Sequence, residues 1–352
     1  MLIVERQLAL LDRYVNIPYI FVALNHNRTH SWTEVMTKSN IGAESSTSWP
    51  DNKSFAFTIF DDTDLAKLNS IRPVYAQLAD FGFRTTKSVW PLPGSRQHPT
   101  EGVTCDDADY VDWLKNLRRR GFEIGYHMAT WHTSPREVTE KALNRFEQIF
   151  GNPPKTMANH SSCEENLYWG TARLSGIRTL LYNAATLGRQ RNRFRGHIEN
   201  DPLFWGDLCR DRIEYVRGFV FPDINTLKVC PHMPYHDPLR PYVRHWFASS
   251  EGANIRSFIR LLNEANQDRL EAEGGACIVY THLGAGFCER GKLNPRFAAL
   301  MKRLGRKNGY FVPVGQLLDF LKTSKGEHRL TNRERARLEW QWLRFKLRKG
   351  RS

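Results

Sequence analysis

The chain has 352 residues, of which 41% are hydrophobic and 25% are charged, and its formal net charge is +14. This length and composition are typical of a globular protein with a large core, and they exclude a disordered or low-complexity chain. No apolar run reaches the roughly 18 residues that a membrane-spanning helix needs.

The N-terminus and the cysteines indicate a cytoplasmic protein. The first residues, Met1–Gln7, lack the basic-then-apolar order of a secretory signal. The cysteines are scattered and form no Cys-x-x-Cys pair; they lie at positions 105, 163, 209, 230, 277 and 288. We therefore expect free thiols in a reducing compartment rather than a disulfide framework.

The pattern of apolar residues predicts strands that alternate with helices from residue 54 onward. The predicted strands cover 54–60, 85–90, 122–126, 155–159, 178–182, 276–281 and 310–314. Helices are predicted at 71–81, 106–120, 255–270, 295–304 and 315–322, and another begins at Ser134-Pro135. This alternation favours a parallel sheet, either closed into a barrel or open and doubly wound.

The same pattern divides the chain into three parts. Residues 1–53 are interpreted as an N-terminal extension and residues 54–322 as the main domain. Residues 190–250 interrupt the alternation and are rich in aromatic residues, proline and arginine, so we interpret them as an irregular insertion near the strand ends. Residues 323–352 form a basic tail.

Three carboxylates follow the first predicted strand. The run Phe55–Phe60 ends on Asp61, Asp62 and Asp64, and acids this close together repel one another unless a cation lies among them. Ligands bind at this end of the strands in α/β folds. Asp62 is therefore a candidate metal ligand. Asp61, which points to the other face of the strand end, is a candidate base for the attacking water.

Histidines at the ends of three later predicted strands supply further metal ligands. His127 and His132 follow the third strand, His160 follows the fourth, and His282 follows the sixth. Two histidines and one carboxylate leave coordination positions open for water and substrate, as a hydrolytic metal centre requires. His282 lies next to a glycine-rich turn and is a candidate general acid or metal ligand.

These motifs resemble the polysaccharide deacetylase family of carbohydrate esterases. The resemblance spans roughly residues 54–320 and rests on Phe60-Asp61-Asp62, on Glu123-Ile-Gly-x-His127 followed by His132, and on the late strand that ends in His282. It implies a deformed (β/α) barrel and an enzyme that hydrolyses acyl groups on sugars with the help of a divalent ion. That ion is usually Zn²⁺, with Co²⁺, Ni²⁺ or Mn²⁺ as alternatives. It also implies a role for each matching residue: Asp61 as catalytic base, His282 as acid, and Asp62, His127 and His132 as metal ligands.

The sequence departs from the family's pattern at three points. His127 and His132 are five residues apart, where the family has a spacing of four. The stretch 157–162 lacks the arginine of the family's Arg-x-Pro-Tyr element, so His160 is an alternative third ligand and Asn159 a donor to an oxyanion or a sugar hydroxyl. No Asp-x-x-Asp-Trp element that would orient His282 is found. The choice between His132 and His160 is left open.

Lys87 and Trp90, at the end of the second predicted strand, are candidate substrate-binding residues. Trp90 could stack on a sugar ring, and Lys87 could meet a phosphate. A rim aromatic and a solvated lysine would fit the same pattern.

Positive charge is concentrated in the tail, where residues 325–352 hold ten Lys or Arg and three Glu. Leu338, Trp342 and Phe345 recur every three to four residues and predict one apolar helix face. Such a face suits the headgroup region of an anionic membrane or packing on the chain's own barrel. A nucleic-acid-binding arm is disfavoured because no nucleic-acid-binding motif supports it.

We expect from these features a cytoplasmic metal-dependent hydrolase that removes an N-acetyl or N-formyl group from a sugar in the biosynthesis of a surface polysaccharide such as lipopolysaccharide O-antigen. The sugar would be linked to a nucleotide or a polyprenyl phosphate, and the tail would allow peripheral contact with the inner face of the membrane. Two alternatives remain. One is a metal-dependent glycosyltransferase that binds a nucleotide-sugar through Asp62-x-Asp64, and the other is a non-catalytic barrel that binds glycan.

Overall fold

Seven parallel strands close into a barrel at the centre of residues 48–349, the part of the chain that the computed structural model describes. The described strands are β1 (Phe55–Asp61), β2 (Thr86–Val89), β3 (Glu123–Tyr126), β4 (Thr156–Ala158), β5 (Tyr215–Phe221), β6 (Tyr235–His236), β7 (His245–Glu251), β8 (Ala276–Thr281), β9 (Cys288–Glu289), β10 (Lys292–Leu293), β11 (Gly309–Tyr310) and β12 (His328–Arg329). The barrel runs β1-β2-β3-β4-β5-β7-β8, and β8 returns to pair with β1. The predicted α/β barrel is confirmed.

Helices connect the strands on the outside of the barrel. They are α1 (Leu68–Asp80), α2 (Ala108–Arg119), α3 (Arg136–Phe150), α4 (Ile177–Ala185), α5 (Gly206–Arg212), α6 (Thr226–Val229), α7 (Ile255–Leu261), α8 (Glu264–Ala272), α9 (Pro295–Gly305), α10 (Val314–Lys325) and α11 (Asn332–Lys349). All seven residues of β1 are buried, which its nearly unbroken apolar sequence predicts for a strand covered on both faces. In α1 the buried residues recur at helical spacing, at Ile71, Val74, Tyr75 and Leu78.

Side-chain caps fix where several helices begin. Asp107 accepts a hydrogen bond from the Tyr110 N–H at the start of α2, and Asn294 accepts from two backbone N–H groups at the start of α9. Asn254 and Ser257 form a reciprocal capping box at α7. Of these helices, α7 follows the barrel strand β7 directly, so its cap lies next to the end of that strand.

Three predicted elements differ from the structure. Residues 178–182 lie in helix α4 and not in a strand, because a five-residue stretch with apolar side chains only at 180–182 is too short to distinguish the helical period from the strand period. The single helix predicted at 255–270 is divided into α7 and α8, since Asn263 caps a new helix by accepting from the Asn266 N–H. The strand predicted at 310–314 is only β11, and α10 begins at Val314.

Residues 190–250 are not an irregular insertion, because two barrel strands, β5 and β7, lie within them. Their pairing includes a register shift between Arg217 and Val220, which interrupts the regular strand pattern. Of the predicted N-terminal extension, residues 1–47 lie outside the described residues. Trp49 packs on Phe320 and donates to the Gly274 carbonyl, so the end of that segment belongs to the barrel.

The basic C-terminal segment forms α11, which packs on the barrel. Leu338, Trp342 and Leu343 are buried, and the Trp342 ring contacts the rings of Tyr182 and Phe219. The apolar face predicted for this segment is thus directed at the chain itself. Among residues 48–349, no helix is both long and apolar enough to cross a membrane.

Candidate active site

A cavity of about 370 Å³ opens at the carboxyl ends of the barrel strands. Chemistry-bearing side chains from β1, β3, β4, β5 and β8 or the residues just after them line it; these include Asp62, Asp64, His127, His160, Arg217 and His282. Parallel strands bring their carboxyl ends together, so residues distant in sequence meet here.

Asp64, His127 and His160 form a buried cluster in this cavity. Nε2 of His127 is 3.0 Å from Oδ2 of Asp64, and Nε2 of His160 is 2.9 Å from Oδ1 of the same carboxylate. Burial alone would raise the pKa of Asp64, but the neighbouring His160 and His127 hold it well below its usual range. Asp64 is therefore ionised and lies between two ring nitrogens.

The backbone at this cluster adopts uncommon conformations. Leu65, directly after Asp64, has φ 57°, and Met128, directly after His127, has φ 67°. Residues other than glycine rarely adopt this left-handed backbone conformation, and such strain concentrates at functional sites. His160 is also fixed from behind, because its Nδ1 lies 2.8 Å from the Ser162 hydroxyl. The His160 ring nitrogen that faces Asp64 is thus oriented by the hydrogen bond on the other side of the ring.

Asp62 is held by Arg217 rather than by a histidine. The guanidinium donates two hydrogen bonds, of 2.7 Å and 2.6 Å, to the two carboxylate oxygens. Arg217 itself lies over the rings of Phe60 and Tyr280. Burial would raise the pKa of Asp62, but the charge and hydrogen bonds of Arg217, together with the nearby His127 and His282, outweigh it and the pKa is lowered. Asp62 is thus an ionised carboxylate at the edge of the cluster.

His282 completes the cavity from the end of β8. Its Nδ1 lies 2.6 Å from the Ala253 carbonyl, which fixes that nitrogen as the donor. Its Nε2 faces the cluster, 3.9 Å from Asp62 and 3.7 Å from Asp64. This is the nitrogen that can exchange a proton with a bound molecule.

The structure places Asp61 and Lys87 away from the cavity, contrary to the roles expected for them. Both are fully buried, and the Lys87 ammonium lies 3.1 Å from the Asp61 carboxylate. Asp61 also accepts hydrogen bonds from the Tyr75 hydroxyl and the Leu283 N–H. Because Asp61 is the last residue of β1 and neighbouring residues alternate sides, Asp62 faces the cavity instead. Asp61 and Lys87 join β1, β2 and the turn after β8.

His132 is also separate from the cluster. Its Nε2 accepts the Ser95 N–H at 2.8 Å, and its Nδ1 lies 3.0 Å from the Thr133 carbonyl. Both ring nitrogens are therefore engaged in the loop after β3. Of the two histidines left open by the sequence, the structure brings His160 to Asp64.

Trp90 packs behind the histidines, and Asn159 closes a loop at the edge of the cavity. Trp90 is fully buried, and its ring lies 5.9 Å from that of His127 and 5.6 Å from that of His160, so it backs the histidines and is not accessible to a sugar. Asn159 borders the cavity, but its amide exchanges two hydrogen bonds with the Leu167 backbone. Its side chain thus closes the loop after β4.

The sequence does not predict Asp64 as the partner of the histidines, nor Arg217 as a site residue. Asp64 enters the sequence-based expectations only as the third acid and in the Asp62-x-Asp64 alternative, because the resemblance favours Asp62 as the metal ligand. Arg217 lies in the stretch interpreted as an insertion, although the aromatic and β-branched residues of Tyr215–Phe221 are typical of a strand. The Asp-x-Asp reading is also not supported, because Asp62 faces Arg217 and Asp64 faces the histidines.

The cluster fits a divalent metal ion. Asp64, His127 and His160 each offer one ligand atom, and these atoms lie within 4.8 Å of one another. Two imidazole nitrogens and a carboxylate oxygen are a common ligand set for catalytic zinc, and they leave positions free for other ligands. A second group, His232, His328 and Glu334, is partly exposed and does not line the cavity.

Known proteins resemble this chain in structure but not detectably in sequence. No family model and no curated protein matches it. A structure described as a polysaccharide deacetylase of Mycobacterium smegmatis is 13% identical, with 82% of this chain and 97% of that one covered, at a TM-score of 0.46. Puue allantoinase is 12% identical (79% and 93% covered, TM-score 0.44), and a polysaccharide deacetylase of Pseudomonas aeruginosa PAO1 is 11% identical (79% and 94% covered, TM-score 0.43).

Proposed function

We propose that this protein is a metal-dependent hydrolase that removes an N-acetyl or N-formyl group from an amino sugar. One observation supports it above all. A cavity at the strand ends holds a three-residue metal-ligand cluster, an ionised carboxylate paired with arginine, and a histidine whose free nitrogen faces both carboxylates. Amide hydrolysis needs a Lewis acid, a base and an acid, and these groups match those needs.

In this proposal Asp64, His127 and His160 hold the ion. When bound, it supplies a positive charge that polarises the acyl oxygen and makes water more acidic. Asp62, kept ionised by Arg217, accepts a proton from the water that attacks the acyl carbon. His282 donates a proton from Nε2 to the amine nitrogen as the carbon–nitrogen bond breaks. The products are acetate or formate and the free amino sugar.

Arg217 acts in this scheme as a positioning residue. Its two hydrogen bonds fix both oxygens of Asp62, and its charge favours the ionised carboxylate. The arginine that the sequence lacks after β4 is therefore replaced in space by one from β5. This reduces the case for a non-catalytic glycan-binding barrel, which rested on that absence and on the five-residue spacing of His127 and His132.

The finer part of the proposal concerns the metal and the pathway. We propose zinc as the ion, and an amino sugar carried on a nucleotide or a polyprenyl phosphate in the cytoplasm during surface-polysaccharide assembly. Basic residues in the cavity, described below, support a phosphate-bearing carrier. The exposed side chains of α11, including Leu347 at 39%, leave room for peripheral contact with a membrane.

The test measures metal content and acyl release in the same preparations. Protein purified without chelators or a metal-binding tag should contain about one zinc-like ion per chain, and this ion should be lost in Asp64→Asn and His160→Ala but kept in His132→Ala. Acetate or formate release should fall about 10²-fold or more in Asp62→Asn with the metal retained. Metal-loaded protein that releases neither product from any acylated amino sugar would refute the proposal.

A further inference from the structure

The cavity carries more positive charge than the candidate catalytic centre uses. Its lining includes five cationic side chains, Arg173, Arg217, Arg256, Arg260 and Lys346, against three carboxylates, Asp62, Asp64 and Glu251. Only Arg217 among these arginines has a carboxylate of the catalytic centre as its partner. A neutral sugar would need none of the remaining charge.

Arg173 has the most unusual surroundings of these cations. It ends the short 3-10 turn Gly170–Arg173 and is only 8% exposed. Its guanidinium carbon lies 3.6 Å from the ring centre of Trp169 and 4.9 Å from that of Trp342. Within residues 48–349, its buried Nη2 has no hydrogen-bond partner, and no carboxylate pairs with the side chain.

Such surroundings are unfavourable for a cation in the free protein. Burial lowers the pKa of Arg173 to about 10, and the nearby Arg217 and Arg240 act in the same direction. The side chain is nonetheless charged at neutral pH. Stacking on two indole rings offsets part of the desolvation, but a buried charge normally has a counter-ion. A ligand that brings negative charge into the cavity would supply it.

The chemistry of these groups favours phosphate over a single carboxylate. The planar guanidinium, held in one orientation by the indole rings, can bind two oxygens of a carboxylate or of a phosphate, so the number of cations at the cavity separates these two anions. Arg256, Arg260 and Lys346 border the same cavity and can meet further charges of a phosphate or diphosphate.

We propose that Arg173 is the centre of a phosphate-binding subsite, and that the substrate is an acylated amino sugar esterified to phosphate or diphosphate. The inference rests on the proposed deacylation at the neighbouring Asp64 cluster. The shared chemistry covers a nucleotide-linked and a lipid-linked sugar.

The experiment is calorimetric titration of the purified protein with inorganic diphosphate at fixed low salt. Arg173→Gln should weaken binding at least tenfold, whereas Arg84→Gln should not change it. Arg84 is a matched control, because its guanidinium also lies over a ring, that of Phe122, and donates only to backbone carbonyls outside the cavity. Thermal unfolding shows whether the variants fold; Arg173→Met should unfold at the same temperature as the parent or higher, since it removes an uncompensated charge.

A second background separates this subsite from phosphate held by a metal ion. In Asp64→Asn, which should lack the metal, diphosphate should still bind and the added Arg173→Gln should abolish that binding. Equal affinities in the parent and Arg173→Gln, or binding abolished by Asp64→Asn alone, would overturn the inference. Neither result depends on turnover, so a failure of the proposed deacylation is recognised separately.

The same titrations with uridine diphosphate and farnesyl phosphate identify the carrier. An Arg173-dependent gain in affinity for either ester over inorganic diphosphate supports the subsite and indicates a nucleotide or a lipid. If inorganic diphosphate binds and neither ester does, the subsite cannot accept a substituted phosphate and the inference is wrong.

Discussion

Asp61, Asp62 and Asp64 lie within four residues of one another and have three different partners. Asp61 is paired with Lys87, Asp62 with Arg217, and Asp64 contacts His127 and His160. Each buried carboxylate thus has its own set of partners, and two of the three, Asp61 and Asp62, are compensated directly by a cationic side chain.

The pair of Asp62 and Arg217 gives a prediction on stability and activity. Either Asp62→Asn or Arg217→Gln leaves the other charge buried without a full partner, and each should lower the free energy of unfolding by about 3 kcal/mol. The double variant should recover much of that loss, because neither charge remains. Urea unfolding of the four proteins measures the coupling.

Acyl release serves as the second measurement for the same pair. Activity should stay low in the double variant despite the recovered stability, since the proposed base is absent. Strictly additive losses of stability would show that the two side chains do not act as a buried pair.

Glu165 predicts a pH dependence of stability. It is fully buried, and this burial raises its pKa from an ordinary value of 4.5 to about 8. Between these pH values the folded chain keeps a proton that the unfolded chain has lost, so stability should decrease as the pH rises through this interval. Glu165→Gln should remove that decrease and raise the unfolding temperature at pH 8 more than at pH 5.

The neighbouring Glu164 provides the control for this pH series. Its side chain is 44% exposed and pairs with Arg195, so Glu164→Gln should have a small effect at both pH values. An unfolding temperature of Glu165→Gln that runs parallel to the parent from pH 5 to pH 8 would contradict the assignment.

At the scale of elements, α11 is part of the barrel wall rather than a free tail. Its Glu339 is fully buried and accepts hydrogen bonds from the Ser175 N–H and hydroxyl, from Arg178 and from Arg240. Trp342, three residues further along the same helix, lies against Arg173. The basic character of the segment is therefore compatible with a tightly packed inner face.

Glu339→Ala should remove the buried carboxylate that holds α11 against the barrel. It leaves Arg178 without its carboxylate and removes one of the two that pair with Arg240, and the expected loss is about 3 kcal/mol in the free energy of unfolding. Glu327→Ala is the control, since the Glu327 side chain is 77% exposed. Denaturant midpoints of the two variants compare directly, and equal midpoints would mean that α11 is not held by Glu339.

Strand β5 shows how one element sets the geometry of the site. Its register against β7 shifts between Arg217 and Val220, and such a bulge redirects the side chains next to it. Arg217 is thereby found beside Asp62, a residue 155 positions earlier in the chain.

At the scale of the molecule, the barrel and the metal should stabilise each other. The cluster draws Asp64, His127 and His160 from the ends of β1, β3 and β4, so an ion held there links three strands. Dialysis against a chelator should lower the unfolding temperature by several degrees, because an ion at 100 times its dissociation constant contributes about 2.7 kcal/mol. Adding Zn²⁺ back should restore the original unfolding temperature of the parent protein.

His160→Ala is the control for the chelation experiment. This variant should unfold at the same temperature with and without chelator, since one of the three metal ligands is missing. If the chelator leaves the unfolding temperature of the parent protein unchanged, the metal binds elsewhere or not at all.

Part of this architecture was predictable because it is encoded locally. The apolar run of β1 and the helical spacing in α1 act within a few residues, so the alternation of strands with helices and the position of the site at the strand ends follow from the sequence. The pattern alone left a closed barrel and an open sheet as alternatives, and only the family resemblance favoured the barrel. The short elements were not predictable in the same way. Residues 178–182 have the composition of a strand and form a helix because α4 packs against α11.

The sequence by itself determined which kinds of side chain are present at the strand ends: acids after β1 and histidines after β3, β4 and β8. Only the tertiary structure decided which of them meet. It brought Asp64 and His160 together and directed Asp61 into the interior. It also placed Arg217 beside Asp62 from β5, a strand that was not predicted from the sequence. The physical reason is that strand register and barrel closure, rather than sequence spacing, fix the distances between these groups.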